Sequence, residues 1–187
     1  MNTLQKYWLS RHVSLDMIST LKLGETTING INWLTIPIFD YQGETLYEKL
    51  RRPPNGLEHQ MKSKLPKGAT AQMYPRPYLH KGVKRIFICE GEPDVMVLLS
   101  YGQEAICSTA GAGCFKEEWL DEFPEGIEIV LCLDTDEAGK KGQEKISEMF
   151  REKRPDIRIK ELDLTDYFKN HPGNDITDFF SSLFPNA

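Results

Sequence analysis

Apolar residues cluster in short runs separated by charged turns. The run Arg85-Ile86-Phe87-Ile88-Cys89 breaks abruptly into Glu90-Gly91-Glu92-Pro93-Asp94. Four successive apolar residues with β-branched and aromatic members fit a strand covered on both faces, which the Gly and Pro then end. The design recurs at Ile127-Glu128-Ile129-Val130-Leu131-Cys132-Leu133, which leads into Asp134-Thr135-Asp136-Glu137-Ala138-Gly139. Shorter strand-like runs are expected at Glu104 to Ser108 and Arg158 to Leu162. Helices are expected at Val95 to Tyr101, Lys116 to Phe123, Ala138 to Arg151, and Ile176 to Leu183 behind an Asp175 cap. Strands alternating with helices give an α/β fold, a doubly wound and mainly parallel sheet over residues 85–187.

Residues 1–84 read differently, as a small α+β lobe. Two short helices, Leu4 to Arg11 and Leu15 to Leu21, are expected at its start, with Ser14 as N-cap of the second and Gly24 as a stop. Two strands, Ile31 to Phe39 and Glu44 to Leu50, flank Asp40-Tyr41-Gln42-Gly43, a hairpin signal.

The formal net charge of -5 hides an asymmetry: residues 1–85 carry 13 Lys and Arg against 6 Asp and Glu, and residues 86–187 carry 10 against 22. From Thr45 to Arg85, ten basic residues face only Glu48 and Glu58, with Tyr47, Tyr74 and Tyr78 interleaved. A basic lobe beside an acidic one can hold phosphates next to divalent cations, which points to a nucleic-acid or nucleotide substrate. Cys89, Cys107, Cys114 and Cys132 show no CxxC spacing, so no zinc is expected in this chain, and the three that lie in or beside apolar strand-like runs read as small core residues in a reducing compartment. No run has the length of a membrane span and no signal-peptide core opens the chain, so a cytoplasmic protein without membrane contact is expected.

The carboxylates carry the chemistry. Asp134 and Asp136, two apart at the end of a strand, are expected on one side of the pleat, with Glu90 from a neighbouring strand completing a set. Hard oxygen ligands at strand ends match Mg²⁺ or Mn²⁺, the ions that serve phosphoryl and nucleotidyl transfer. Strand carboxyl ends are also where open α/β sheets bind ligands, which brings in Asp94. Gly111 and Gly113, in Thr109-Ala110-Gly111-Ala112-Gly113, would let the backbone approach a ligand closely. Lys140 and Lys141 sit in the first turn of their helix, where the dipole disfavours cations, and are expected to meet phosphates or balance the acidic turn.

These motifs resemble the Toprim fold, on Glu90-Gly91-Glu92-Pro93-Asp94, Gly111, and Asp134-Thr135-Asp136-Glu137-Ala138-Gly139. Within that superfamily the chain looks most like the DnaG-type and phage-type primases, because Lys140-Lys141 follow the motif and Ala138 stands where type II topoisomerases carry a third aspartate. Gly173-Asn174-Asp175-Ile176-Thr177-Asp178-Phe179 resembles the element that ends a primase Toprim domain, with Asn174 in place of Lys and Thr177 in place of an acid. Upstream, Leu23-Gly24 and Ile36-Pro37-Ile38-Phe39-Asp40-Tyr41-Gln42-Gly43 look like the start of a primase polymerase core. The resemblance implies a Toprim catalytic domain at 85–187 behind the lobe at 1–84, and metal-dependent synthesis of short RNA primers on single-stranded DNA from NTPs. It implies that Glu90, Asp134 and Asp136 are the catalytic metal-binding acids and that Asp94 and Asp175 support the second ion or its water shell. Arg51, Arg52, Lys62, Lys64 and Lys67 are placed by position to guide template and nucleotide. Neither a zinc-binding module nor a P-loop motif occurs here, so a helicase or a zinc-binding template module is expected in cis or trans. A Toprim nuclease and a non-catalytic DNA-binding replication module are the rival readings. A phosphoacceptor receiver domain begins with an acidic pair, and here a Glu comes first.

Overall fold

The computed structural model describes residues 1, 3–52 and 63–185. Two short helices open the chain, α1 (Thr3–Leu9) and α2 (Leu15–Thr20). Ser14 caps the second as its sequence predicts: its hydroxyl accepts the Met17 N–H at 3.1 Å. The chain turns at Lys22, in the left-handed region at φ 52°, and Gly24 is not a helix stop but the first residue of a strand. A side chain at Gly24 would meet Thr35 Oγ1 at 2.7 Å, so the position serves close strand packing. That strand, β1 (Gly24–Ile28), is polar and largely exposed, which is why no apolar run announces it. It pairs with β2 (Ile31–Phe39), followed by β3 (Thr45–Arg51) and β4 (Ser63–Lys64), in an antiparallel sheet ordered β1-β2-β3-β4. In the β2–β3 turn Asp40 Oδ1 accepts the amides of Gln42 and Glu44 at 2.8 and 3.0 Å, and Gly43 takes φ 84°.

The second sheet is built from β5 (Met73–Tyr74), β6 (Arg85–Cys89), β7 (Ala105–Ser108), β8 (Glu128–Cys132) and β9 (Arg158–Glu161). Its order is β5-β7-β6-β8-β9, parallel throughout except for β5, which runs antiparallel to β7. Met73 and Tyr74 thus precede the division expected at residue 84 and belong by hydrogen bonding to the later sheet. Helices α3 (Glu92–Ser100), α4 (Glu137–Lys153), α5 (Thr165–Phe168) and α6 (Ile176–Leu183) connect or follow the strands. The expected helix at Lys116 to Phe123 is a 3₁₀ stretch over Glu117–Glu122 instead. Pro124 lies directly behind it and disfavours the helical conformation at Phe123.

Alternation along the strands divides the core in two. Ile86, Ile88, Ile106, Ile129 and Leu131 face one side, with Ile146 and Phe150 of α4. Cys89, Cys107 and Cys132 face the other, with α3, Ile176 of α6, and Leu34, Ile36 and Ile38 of the first sheet. The second core therefore runs without a break from the amino-terminal lobe into the later sheet. The expected α/β fold, a mainly parallel sheet wound on both faces behind a small α+β lobe, is the one observed. Among the described residues no helix is long and apolar enough to cross a membrane.

Candidate functional site

From β6 the chain passes through α3 to β7 on one side, then crosses to β8 and β9 on the other. The carboxyl ends of β6 and β8 therefore flank the point where strand order reverses, which is where open α/β sheets form ligand crevices. Glu90 follows β6 and Asp134 lies just beyond β8. Asp94 is in the first turn of α3, whose start Pro93 favours, and Asp175 is the N-cap of α6, its Oδ1 accepting the Asp178 N–H at 2.7 Å.

The fold closes these elements on one another. Asp94, Asp134 and Asp175 each offer a carboxylate oxygen, and the three oxygens lie within 4.8 Å of one another. Asp94 is buried and its Oδ1 accepts the Thr177 hydroxyl at 2.6 Å. The Thr135 amide donates to the Asn174 carbonyl at 2.9 Å, which ties the Asp134 loop to the segment carrying Asp175. Gly139 lets α4 start close behind: a Cβ there would stand 2.1 Å from the Asp134 carbonyl oxygen.

Electrostatics mark the cluster as short of positive charge. Burial, followed by the Asp175 charge, raises the Asp94 carboxyl to about 7. Burial and then Glu90, Asp94, Asp175 and Asp136 raise Asp134 to about 8. Asp175 and Glu90 are also raised, in both cases mainly by burial. One Glu90 oxygen, Oε2, is buried with no hydrogen-bond partner among the described residues. Three converging hard oxygen ligands, and a fourth carboxylate with one oxygen unpartnered, fit a divalent cation of the Mg²⁺ or Mn²⁺ kind.

Asp136 stands apart from the trio. Its exposed carboxylate caps α4 by accepting the Gly139 N–H at 2.8 Å. The strand ends at Cys132, so the two-residue alternation expected to align Asp134 with Asp136 does not extend to them.

Above Glu90 opens a groove of about 650 Å³. One wall is Glu90 to Pro93 with Ser108 to Gly111, and the other is Lys49, Arg51 and Ser63 to Leu65. Gly111 takes φ 87°, a conformation other residues rarely adopt. Tyr47, Lys49 and Arg51 share the face of β3 turned toward the groove, while Leu46 and Glu48 are exposed on the other.

The basic residues named from sequence are scattered. Arg51 and Lys64 line the groove, Arg51 with its Nε donating to the Tyr7 hydroxyl at 3.2 Å. Arg52 lies over the Trp33 ring, 4.8 Å from its centroid, and is not among the groove's lining residues. Lys67 is exposed, and Lys62 falls outside the described residues. Lys140 is exposed and Lys141 pairs with Glu137 at 2.6 Å, one turn away on α4.

Sequence reasoning missed Lys49 and Glu92. Lys49 Nζ donates to both Glu92 oxygens at 2.7 and 2.9 Å and to the Thr109 carbonyl at 2.7 Å, all buried. The one available signal was the alternation Tyr47, Lys49, Arg51, which puts a lysine on the inward face.

A family model described as Toprim-like matches residues 87–177. Among solved structures, the primase fragment of the bacteriophage T7 primase-helicase protein is 18% identical, with TM-score 0.68 over 95% of this chain and 69% of its own. The Aquifex aeolicus primase, zinc-binding and RNA polymerase domains together, is 16% identical, with TM-score 0.69 over 96% of this chain and 52% of its own. A DnaG primase catalytic domain bound to single-stranded DNA is 16% identical, with TM-score 0.68 over 98% of this chain and 71% of its own. Among curated proteins none matches the chain in sequence. With its acids at the ends of β6 and β8 and its lobe packed in front, the chain carries a Toprim domain within the fold of DnaG-type primase catalytic cores.

Proposed function

We propose that this chain is the nucleotidyl-transfer centre of a primase, joining NTPs into short RNA primers on a single-stranded DNA template. The observation that carries the reading is the groove, which gathers Arg51 and Lys64 with Glu90, the acid whose charge acts on Asp134 of the Asp94–Asp134–Asp175 trio. Phosphates lying in it would meet cations on one wall and reach the metal centre on the other. Solved structures that share its fold support this reading, since they include a primase-helicase fragment and a primase domain bound to single-stranded DNA.

In the reaction a primer 3′-hydroxyl oxygen attacks the NTP α-phosphorus, the α–β phosphoanhydride bond breaks, and pyrophosphate leaves with the charge. Asp94, Asp134 and Asp175 would hold Mg²⁺ or Mn²⁺, with Glu90 beside them. Bound there, the ion supplies neutralisation of charge accumulating on phosphate oxygens. Thr177 fixes the Asp94 carboxylate, and Asp175 is fixed by its own helix cap. Glu90, half-buried with one oxygen unpartnered, would take up the hydroxyl proton or complete the ion's ligands. Arg51 and Lys64 hold phosphates from the opposite wall, and Gly111 leaves backbone room there. A zinc-binding template module or a helicase, supplied in cis or trans, is the expected partner, as in the two-domain Aquifex chain and the T7 protein.

Glu90→Gln tests the mechanism, because it keeps size and removes one charge. With single-stranded DNA, labelled NTPs and Mn²⁺, the parent should make short oligomers. The variant should lose at least about a hundredfold in rate while template affinity stays near the parent's. Full-rate synthesis by the variant would refute the mechanism. Strand cleavage by the parent would instead identify a nuclease, and binding without turnover a replication module.

A further inference from the structure

Lys49 comes from β3 of the first sheet, and its three ammonium donors are all used at 2.7 to 2.9 Å on Glu92 and the Thr109 carbonyl. Glu92 is two residues beyond Glu90, and Thr109 begins the loop that carries Gly111, so one lysine grips both segments of the acid wall. Thr109 is held again by its own hydroxyl, which contacts Tyr47 Oη at 3.1 Å and accepts the Gln72 amide at 3.0 Å. Tyr47 and Lys49 share a face of β3, and that face continues to Arg51 on the opposite wall.

With every donor occupied by protein, Lys49 has none left for a ligand. Its charge is matched by Glu92, so it adds little net attraction for phosphate. What the contacts do is fix the spacing between the two walls. We propose, building on the functional reading above, that Lys49 is a positioning residue: through Glu92 and Thr109 it sets the span between the Arg51–Lys64 wall and the metal centre, and so the affinity for a metal-bound polyphosphate bridging them.

A buried ion pair also bears on stability, so the test must separate the two roles. Removing one partner strands a buried charge, whereas replacing both with apolar side chains is often tolerated. The variants are therefore Lys49→Met with Glu92→Met, and Lys49→Gln with Glu92→Gln, neither of which strands a charge, each studied well below its Tm. Calorimetry measures Mn²⁺ alone, then inorganic triphosphate with Mn²⁺ present. The Met pair should bind Mn²⁺ within about twofold of the parent, since the Asp trio is untouched. Its triphosphate affinity should fall about tenfold or more, the scale of a lost alignment of about an ångström. The Gln pair should shift in the same direction, and it carries the comparison if the Met pair does not fold. Parental triphosphate affinity in either folded variant would overturn the proposal, as would a parent that binds Mn²⁺ but no triphosphate. Primer synthesis by the parent reports separately on the functional reading. A parent that binds triphosphate yet makes no primer refutes that reading and leaves the positioning role to the variants.

Discussion

Asp134→Asn should make the metal-free protein more stable and the metal-loaded protein less so. Asp134 has a folded-state pKa of about 8 against an ordinary 3.8, raised by burial and then by Glu90, Asp94, Asp175 and Asp136. Between those values the folded chain holds a proton that the unfolded chain has released. Stability conferred by that proton is full below pH 4 and is lost as pH rises toward 8. Taken at face value at 1.36 kcal/mol per pKa unit the effect would exceed 5 kcal/mol, but water reaches this half-buried group and the repulsion is shared with Asp94. About 2 kcal/mol is a fair expectation, or about 5 °C in Tm for a chain of this size. The amide carries no charge at any pH, so the metal-free variant should melt about 5 °C above the parent at pH 8, with the gap closing toward pH 4. Mn²⁺ should invert the order. At a hundred times its Kd it stabilises the parent by about 2.7 kcal/mol, and a variant with a weakened site gains far less. Calorimetric melts at pH 5 and 8, with EDTA or with Mn²⁺, read all four cases. An Asn variant less stable than the parent at pH 8 in EDTA would show that Asp134 is not repelled, and equal Mn²⁺ stabilisation of both would show that it is not a ligand.

Two further predictions follow from the same geometry. Arg51→Ala should weaken single-stranded DNA binding and flatten the log–log salt slope by about 0.7, the value for one lost phosphate contact, while Arg52→Ala, which lifts a guanidinium from Trp33, should leave the slope unchanged; equal slopes for the two variants in a salt titration would remove the groove from template binding. Thr177→Val deletes the 2.6 Å hydroxyl bond to buried Asp94, so it should cost about 1–3 kcal/mol in denaturant melts. The same substitution should lower Mn²⁺ affinity about ten- to a hundredfold, and unchanged Mn²⁺ binding would mean that Asp94 is not a ligand.

What the sequence made legible are the features that depend on local pattern. The buried strands ending at Cys89 and Cys132 declare themselves by unbroken apolar runs, and the Asp175 cap by a single acid before an amphipathic helix. What it hid depends on distance in sequence. Lys49 and Glu92 are 43 residues apart and meet only because β3 packs over the end of β6. Local alternation turns Lys49 inward on β3 but does not name its partner. The loop acids were misaligned for a related reason: strand alternation was applied to Asp134 and Asp136 beyond the strand's last residue, where the backbone follows the start of α4.

The departure at Thr177 gains a physical account in the same way. The motif it resembles has an acid there. In this chain position 177 points its side chain at the Asp94 carboxylate, with the Thr177 amide 3.4 Å from the same oxygen. A further carboxylate in that place would set a negative charge against a buried acid already raised to about 7 by burial and Asp175. Threonine supplies a donor instead, and that hydrogen bond opposes the upward shift of Asp94. Asp94 is thereby kept closer to the charged form that an ion requires, without adding to the charge that the ion must offset. Lys49 beside the groove is engaged by Glu92, so a neutral donor at 177 suits the cluster better than a further converging carboxylate.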